Sequence, residues 1–180
     1  MNLTKTSKFI ALILRHKPET IGISLDEHGW ADVHELIDGI NETGNHHIDM
    51  KDLEEIVRTD EKQRYSFNED KSLIRANQGH SIPVDLELLP QKPPKVLWHG
   101  TGDRFADDIS REGLKKQGRQ YVHLTDNRET AAVVGKRHGR PVVFEINAAL
   151  MYEQGYVFYR SENGVWLTDA VPPEYLSGME

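Results

Sequence analysis

Two histidines in the second half of the chain each sit in a short apolar run that ends on threonine. One run is Val96-Leu97-Trp98-His99-Gly100-Thr101 and the other is Tyr121-Val122-His123-Leu124-Thr125. Each reads as a strand delivering one imidazole to a strand end, and neither has a second ligand at metal spacing. Cysteine is absent, which removes disulfides, thiolate chemistry and cysteine-based zinc sites. The string Gly100-Thr101-Gly102-Asp103-Arg104-Phe105 lacks the third glycine of a dinucleotide fingerprint, and no GxxxxGK[ST] loop occurs. Paired strand-end histidines without these features point to a site that grips an organic cofactor, with no metal.

A cationic cluster needs its own explanation. Arg15-His16-Lys17 closes the opening helix, where cations complement the macrodipole and need no further role. Arg64 and Arg75 flank a hairpin turn that can fold both back toward that helix end. Arginines converging from separate elements present planar forks suited to the oxygens of a phosphate dianion. Arg119, after Gly118, reads from spacing alone as an ordinary loop arginine. His46-His47 reads as an exposed pair in a polar loop, and His80 is ambiguous.

The elements that must position these groups fall into two unlike halves. Three prolines in Leu88-Leu89-Pro90-Gln91-Lys92-Pro93-Pro94-Lys95 mark a linker at residues 90–95, because proline removes backbone donors and favours extended chain. Residues 1–89 form one candidate domain and residues 96–180 the other. In the first, Thr4 to His16 is a helix stopped by Pro18, Asp32 opens a second helix and Asp49 a third. Arg64–Phe67 and Ser72–Arg75 then flank Asn68-Glu69-Asp70-Lys71 as a hairpin. Three helices followed by a hairpin is the winged-helix arrangement. The second half alternates short strands with helices near 105–112, 128–137 and 148–154, as in a compact α+β module with a split or mixed sheet.

Composition bounds the function. The 180 residues carry a net charge of −7, which argues against coating long nucleic acid. Residues 1–92 hold 11 Lys+Arg against 17 Asp+Glu, and residues 93–180 hold 11 against 12, so any anion site is a local patch. No apolar run approaches the roughly 20 residues of a membrane span and no signal-peptide pattern opens the chain, so a cytoplasmic protein is expected.

Several strings together resemble one family over essentially the whole chain. They are Leu14-Arg15-His16-Lys17-Pro18, Gly29-Trp30, Lys62-Gln63-Arg64-Tyr65 and Ile74-Arg75-Ala76-Asn77-Gln78-Gly79-His80-Ser81. In the second half they are Trp98-His99-Gly100-Thr101, Tyr121-Val122-His123-Leu124 and Asn163-Gly164-Val165-Trp166-Leu167-Thr168. The family is the NAD-dependent RNA 2′-phosphotransferases, the tRNA splicing-type enzymes in their bacterial form. The resemblance implies a winged-helix lobe joined to an ADP-ribosyltransferase-like lobe with short mixed strands, and the partners RNA and NAD.

The implied reaction has two steps. The RNA 2′-phosphate attacks the nicotinamide-bearing ribose carbon of NAD and expels nicotinamide. The ribose 2″-hydroxyl then attacks that phosphorus, leaving 2′-hydroxyl RNA and ADP-ribose 1″,2″-cyclic phosphate. The family's catalytic tetrad maps onto Arg15, His16, Arg64 and Arg119, with Arg75 and His80 on the substrate side. His99, Gly100, Thr101, His123 and Val165 map onto the NAD side. Val165 falls where protein-modifying relatives often carry a glutamate, and its absence suits a phosphate that is already a nucleophile. His16, an imidazole titrating near about 6.5 in water, is a proton donor or a positioning group. Two other readings compete: an ADP-ribosyltransferase acting on other phosphorylated ends or on protein, and a winged-helix regulator that senses a nucleotide. The second is disfavoured by the few cations of the third helix, Lys51 and Arg58.

Overall fold

The computed structural model describes residues 3–179. It is α+β, with six α-helices and short antiparallel sheets among those residues. The chain divides into two compact units, Met1–Glu87 and Leu88–Glu180.

The first unit opens with α1 (Leu3–Arg15), whose Ile10, Ile13 and Leu14 are fully buried. Pro18 starts a single 3-10 turn, Pro18–Ile21, and Gly22 at φ 71° ends it. Then come β1 (Ala31–Asp32), α2 (Val33–Glu42), α3 (Met50–Thr59), β2 (Tyr65–Phe67) and β3 (Leu73–Ala76). Asp32 caps α2 by accepting from the Glu35 N–H at 2.9 Å. Asp49 and Asp52 form a reciprocal capping box on α3. Such caps satisfy amide donors that a helix start leaves open. The sheet order is β1-β3-β2, with Ala31 opposite Ile74 and Ser66 opposite Arg75. One apolar core built on Leu36, Ile40, Ile48, Leu53 and Ile74 joins these elements. His46, expected to be exposed, instead stacks on Phe9 at 5.0 Å and meets the Thr6 hydroxyl at 3.1 Å. An imidazole offers a flat apolar face and a polar edge together, which composition alone does not reveal.

The second unit begins with the proline-rich segment, which is tied down within it. The Gln91 N–H donates to the Phe158 carbonyl at 2.8 Å, Lys95 accepts from the Ala149 N–H, and Pro93 is buried. The elements are β4 (Leu97–Gly102), α4 (Asp103–Glu112), β5 (Leu114–Lys115), β6 (Val122–Leu124) and α5 (Arg128–Lys136). They continue with β7 (Pro141–Ile146), α6 (Ala148–Glu153), β8 (Tyr159–Arg160), β9 (Trp166–Thr168), β10 (Ala170–Val171) and β11 (Leu176–Met179). Two three-stranded sheets, β11-β7-β4 and β6-β9-β8, are stitched by a bridge in which Trp98 and Thr125 exchange backbone hydrogen bonds at 2.8 and 2.9 Å.

The expected mixed strands are corrected: every strand pairing among the described residues is antiparallel. For β4 and β7 the reason is the path of α5, which runs in the same direction as β4. A Cβ on Gly100 would lie 1.6 Å from the Ala131 carbonyl, and one on Gly102 would lie 2.2 Å from that of His138. The chain then turns at 137–140, so β7 arrives reversed and pairs Gly102 with Pro141. None of the described helices is long and apolar enough to cross a membrane.

Candidate functional site

In the first unit the site is built on a polar loop that the fold buries. Residues 74–80 are all buried, from Ile74 through Asn77, Gln78 and Gly79 to His80. A loop can be buried only where its polar groups are satisfied. The Asn77 N–H donates to the Arg64 carbonyl at 2.8 Å, and its side-chain amide donates to the Gln63 carbonyl at 2.8 Å. The Ser66 hydroxyl donates to Asn77 Oδ1 at 2.8 Å, and the Ser81 N–H caps the last carbonyl of α1 on Arg15 at 3.0 Å. The loop thereby ties the end of α1 to the start of the hairpin.

That tie places the cations. Arg15 donates through Nη2 to Gln78 Oε1 at 2.8 Å, and His16 Nδ1 shares a hydrogen bond with Ser81 Oγ at 2.8 Å. Arg64 follows the end of α3, where the Asp60 carboxylate accepts both its backbone N–H, at 2.7 Å, and its guanidinium. Tyr65, buried with its hydroxyl donating to the Ser7 carbonyl at 2.6 Å, feels the charges of Arg15, Arg64 and Asp60 together. Burial raises its phenol above the usual range, so it stays neutral. Arg75 lies over the Trp30 ring with its guanidinium carbon 4.4 Å from the ring centroid.

His80 is 1 % exposed, and both its ring nitrogens are buried without a hydrogen-bond partner among the described residues. Burial first, then the charges of Arg15, His16 and Arg75, pushes its pKa down to about 4. A neutral imidazole therefore sits among these cations at neutral pH. Two glycines make room: a Cβ on Gly79, at φ 90°, would lie 3.0 Å from Arg15 Nε, and one on Gly29 would lie 3.4 Å from His80 Nε2. The structure thus gathers Arg15, His16, Arg64, Arg75 and His80 in one unit.

In the second unit, partners assign the two strand histidines opposite tautomers. The His123 carbonyl can only accept, so His99 donates to it from Nδ1 at 2.9 Å and keeps a lone pair on Nε2. Burial lowers the His99 pKa and the nearby His138 charge adds to this, while the bond to His123 opposes it. Arg119 can only donate, so His123 accepts its Nη1 at 3.0 Å on Nδ1 and carries its own proton on Nε2. His99 is an acceptor and His123 a donor, held one strand apart by the Trp98–Thr125 bridge.

His123 lies opposite Leu167, which lies opposite Tyr159, so all three side chains share one sheet face. The Tyr121 ring, just before β6, meets the Tyr159 ring of that face at 5.5 Å. Gly100 lies beneath α5, where no side chain fits, and Thr101 is buried beside it. Val165 exchanges hydrogen bonds with Ser161 at the mouth of β9.

The chain matches, over residues 1–170, the family model described as RNA 2′-phosphotransferase, Tpt1 / KptA family. It belongs to that family. Relatives carrying the name probable RNA 2′-phosphotransferase include one from Flavobacterium johnsoniae, 50% identical over 97% of this chain and 96% of the relative. One from Acaryochloris marina is 51% identical over 99% of this chain and 98% of its own. One from Nostoc punctiforme is 52% identical, covering 97% and 96%.

For a phosphotransferase of this family, several partners of the arginines carry no signal in a linear reading. Asp60 orients Arg64 but reads as a helix C-cap, and Gln78 orients Arg15 but sits in an apparent turn. Trp30 stands within a motif, yet nothing in the spacing ties it to Arg75, since the two meet across the β1–β3 pairing. One cue does exist in the string: four successive uncharged polar or glycine positions, Asn77 to His80 with the imidazole neutral, directly follow a buried strand.

Proposed function

We propose that this protein removes the 2′-phosphate of an RNA 2′-phosphate by transferring it to NAD. The observation that carries this reading is the set of Arg15, His16, Arg64 and Arg75 brought to one buried polar loop from α1, the end of α3 and β3, inside a unit whose overall charge is negative. In that setting such a cluster selects a compact dianion over an extended polyanion. Winged-helix character is supported by the element order and the β1-β3-β2 sheet. An ADP-ribosyltransferase-like second unit is supported by its two bridged three-stranded sheets.

The second unit's residues fit NAD as co-substrate. His99 offers an acceptor and His123 a donor to sugar hydroxyls, and the Tyr121–Tyr159 pair offers an aromatic surface to a flat ring. NAD supplies, when bound, the electrophilic ribose carbon and neighbouring hydroxyl that take the phosphate as ADP-ribose 1″,2″-cyclic phosphate, with nicotinamide released. The chain's own residues do the rest. Arg15 and Arg64 hold phosphoryl oxygens as charge builds there, a preorganised electrostatic role that needs no metal. His16, steadied by Ser81, presents Nε2 to the oxygen that leaves with the RNA. Arg119 fixes the His123 tautomer and carries a further positive charge to its unit's site. The reaction belongs in the cytoplasm, where RNA and NAD coexist.

The test is incubation of an internally 2′-phosphorylated oligonucleotide with NAD in chelator, followed by mass analysis of both products. We expect 2′-hydroxyl RNA and a cyclic phosphate of ADP-ribose. Phosphate release at full rate without NAD would overturn the mechanism, and ADP-ribose left attached to the RNA phosphate would favour the alternative ADP-ribosyltransferase reading.

A further inference from the structure

The second unit carries a concentration of positive charge that the proposed reaction does not use. Lys136, Arg137, His138 and Arg140 fall within five positions at the end of α5 and the turn into β7, and residues 136–140 are all exposed. No carboxylate occurs between Glu129 and Glu145, in a protein whose net charge is −7. Arg104, exposed in the first turn of α4, belongs to the same surface. The Asp103 N–H donates to the Arg140 carbonyl at 2.8 Å, and Asp103 Oδ1 lies 3.4 Å from the position of a Cβ on Gly139. Asp103 is thus drawn into the strip as its acidic neighbour. None of the five basic side chains takes part in an ion pair among the described residues.

Helix electrostatics explain only part of this. Lys136 and Arg137 complement the C-terminal end of the α5 dipole, where a cation or two is favourable. Arg140 lies beyond that helix, on the strand side of the turn. Arg104 stands at the N-terminal end of α4, where the dipole opposes a cation, and it is held over the Phe105 ring at 4.7 Å. Position matters as well. The strip abuts the end of β4, since Gly102 packs on His138, and the His138 charge is felt at His99.

We propose that Arg104, Lys136, Arg137 and Arg140 form a docking strip for the phosphodiester backbone of the RNA strand that carries the 2′-phosphate. The inference rests on RNA being the substrate. A single pyrophosphate is gripped by one or two cations in a concave, part-buried subsite. Here the cations are spread over a helix end, a turn and a second helix, and all remain hydrated, as suits an extended strand held by counterion release. The strip contributes register and affinity along the strand and reads no base.

The experiment compares wild type with Lys136→Gln/Arg137→Gln/Arg140→Gln by fluorescence anisotropy on a labelled RNA about a dozen nucleotides long with one internal 2′-phosphate. His138 is left in place because of its proximity to His99. Removing three phosphate-facing cations should lower the slope of log affinity against log salt by about 2, and affinity at low salt should drop about tenfold. Turnover of a 2′-phosphorylated dinucleotide and the KM for NAD should stay unchanged. If the triple variant unfolds, Arg104→Gln/Arg140→Gln spares the last turn of α5 and makes the same prediction with a slope change of about 1.4. Unchanged affinity and slope in a folded variant would overturn the proposal, as would a raised KM for NAD with RNA binding intact. Wild type that binds RNA through the strip but releases no phosphate would overturn the proposed activity and leave the strip standing.

Discussion

Replacing Gly79 by alanine adds one methyl group to the loop that bonds to Arg15 and Arg64, and the consequences can be worked from two geometric quantities. The backbone at Gly79 has φ 90°, a conformation that costs a residue with a side chain about 1–3 kcal/mol. The added Cβ would lie 3.0 Å from Arg15 Nε and 3.1 Å from its Cζ, so the guanidinium must retreat by a few tenths of an ångström. Such a shift strains the 2.8 Å bond from Arg15 to Gln78, which fixes the guanidinium in place. A misplacement approaching 1 Å at a group that must meet a transition state costs about a hundredfold in rate, so a loss of about ten- to a hundredfold is expected here. Gly44 provides a matched control: its φ is 78°, yet no atom lies within 4 Å of the position its Cβ would take. Both alanine variants should lose similar stability in chemical denaturation, while Gly79→Ala alone should lose turnover of 2′-phosphorylated RNA. If the two variants turn over within about threefold of each other, the placement of Arg15 does not matter to the reaction and the assignment fails.

Two further outcomes follow from the same cluster. Arg64→Ala should lower turnover by about 10²–10³, as for loss of one preorganised donor, and near-normal single-turnover rates would remove Arg64 from the site. His80, with its pKa pushed to about 4 in the folded state against about 6.5 unfolded, should make wild type lose stability as pH falls through that window. There the unfolded chain holds a proton that the folded one does not, so stability rises with pH, by about 3 kcal/mol across the window. His80→Gln should flatten the profile by that amount, with the depressed His99 cancelling because both proteins keep it; parallel pH profiles would show that His80 is not the origin.

Those elements whose signals are local can be read from the chain. Pro18 stops α1 because it removes a donor and disfavours helix at the preceding residue, and Asp32 and Asp49 announce α2 and α3 through caps that need only three residues. α4 begins at Asp103, earlier than the Phe105 region the sequence suggests, because its N-cap is Gly102, which has no side chain to give the signal. β5 and β10 are two residues each and exist only as each other's partners, so nothing in either string distinguishes them from loop. The same holds for the antiparallel pairing of β4 with β7, which follows from how closely α5 packs on glycines of β4.

Of the candidate site, residue types are legible in the string but their relations are not. Asn77-Gln78-Gly79-His80 has the composition of a surface turn, and its burial depends on acceptors and donors contributed by Gln63, Arg64, Ser66 and Arg15. The choice of those partners carries the functional content. A carboxylate beside every arginine would orient the guanidinium but neutralise it, since a paired cation attracts a further anion weakly. Arg15 is oriented by the neutral oxygen of Gln78 and Arg75 by the face of Trp30, while His80 among them stays uncharged. Arg64 is oriented by a carboxylate, that of Asp60, which also closes α3. Neutral holders such as Gln78 and Trp30 fix a guanidinium's direction without themselves adding negative charge beside it, which suits the phosphate ester of the proposed reaction.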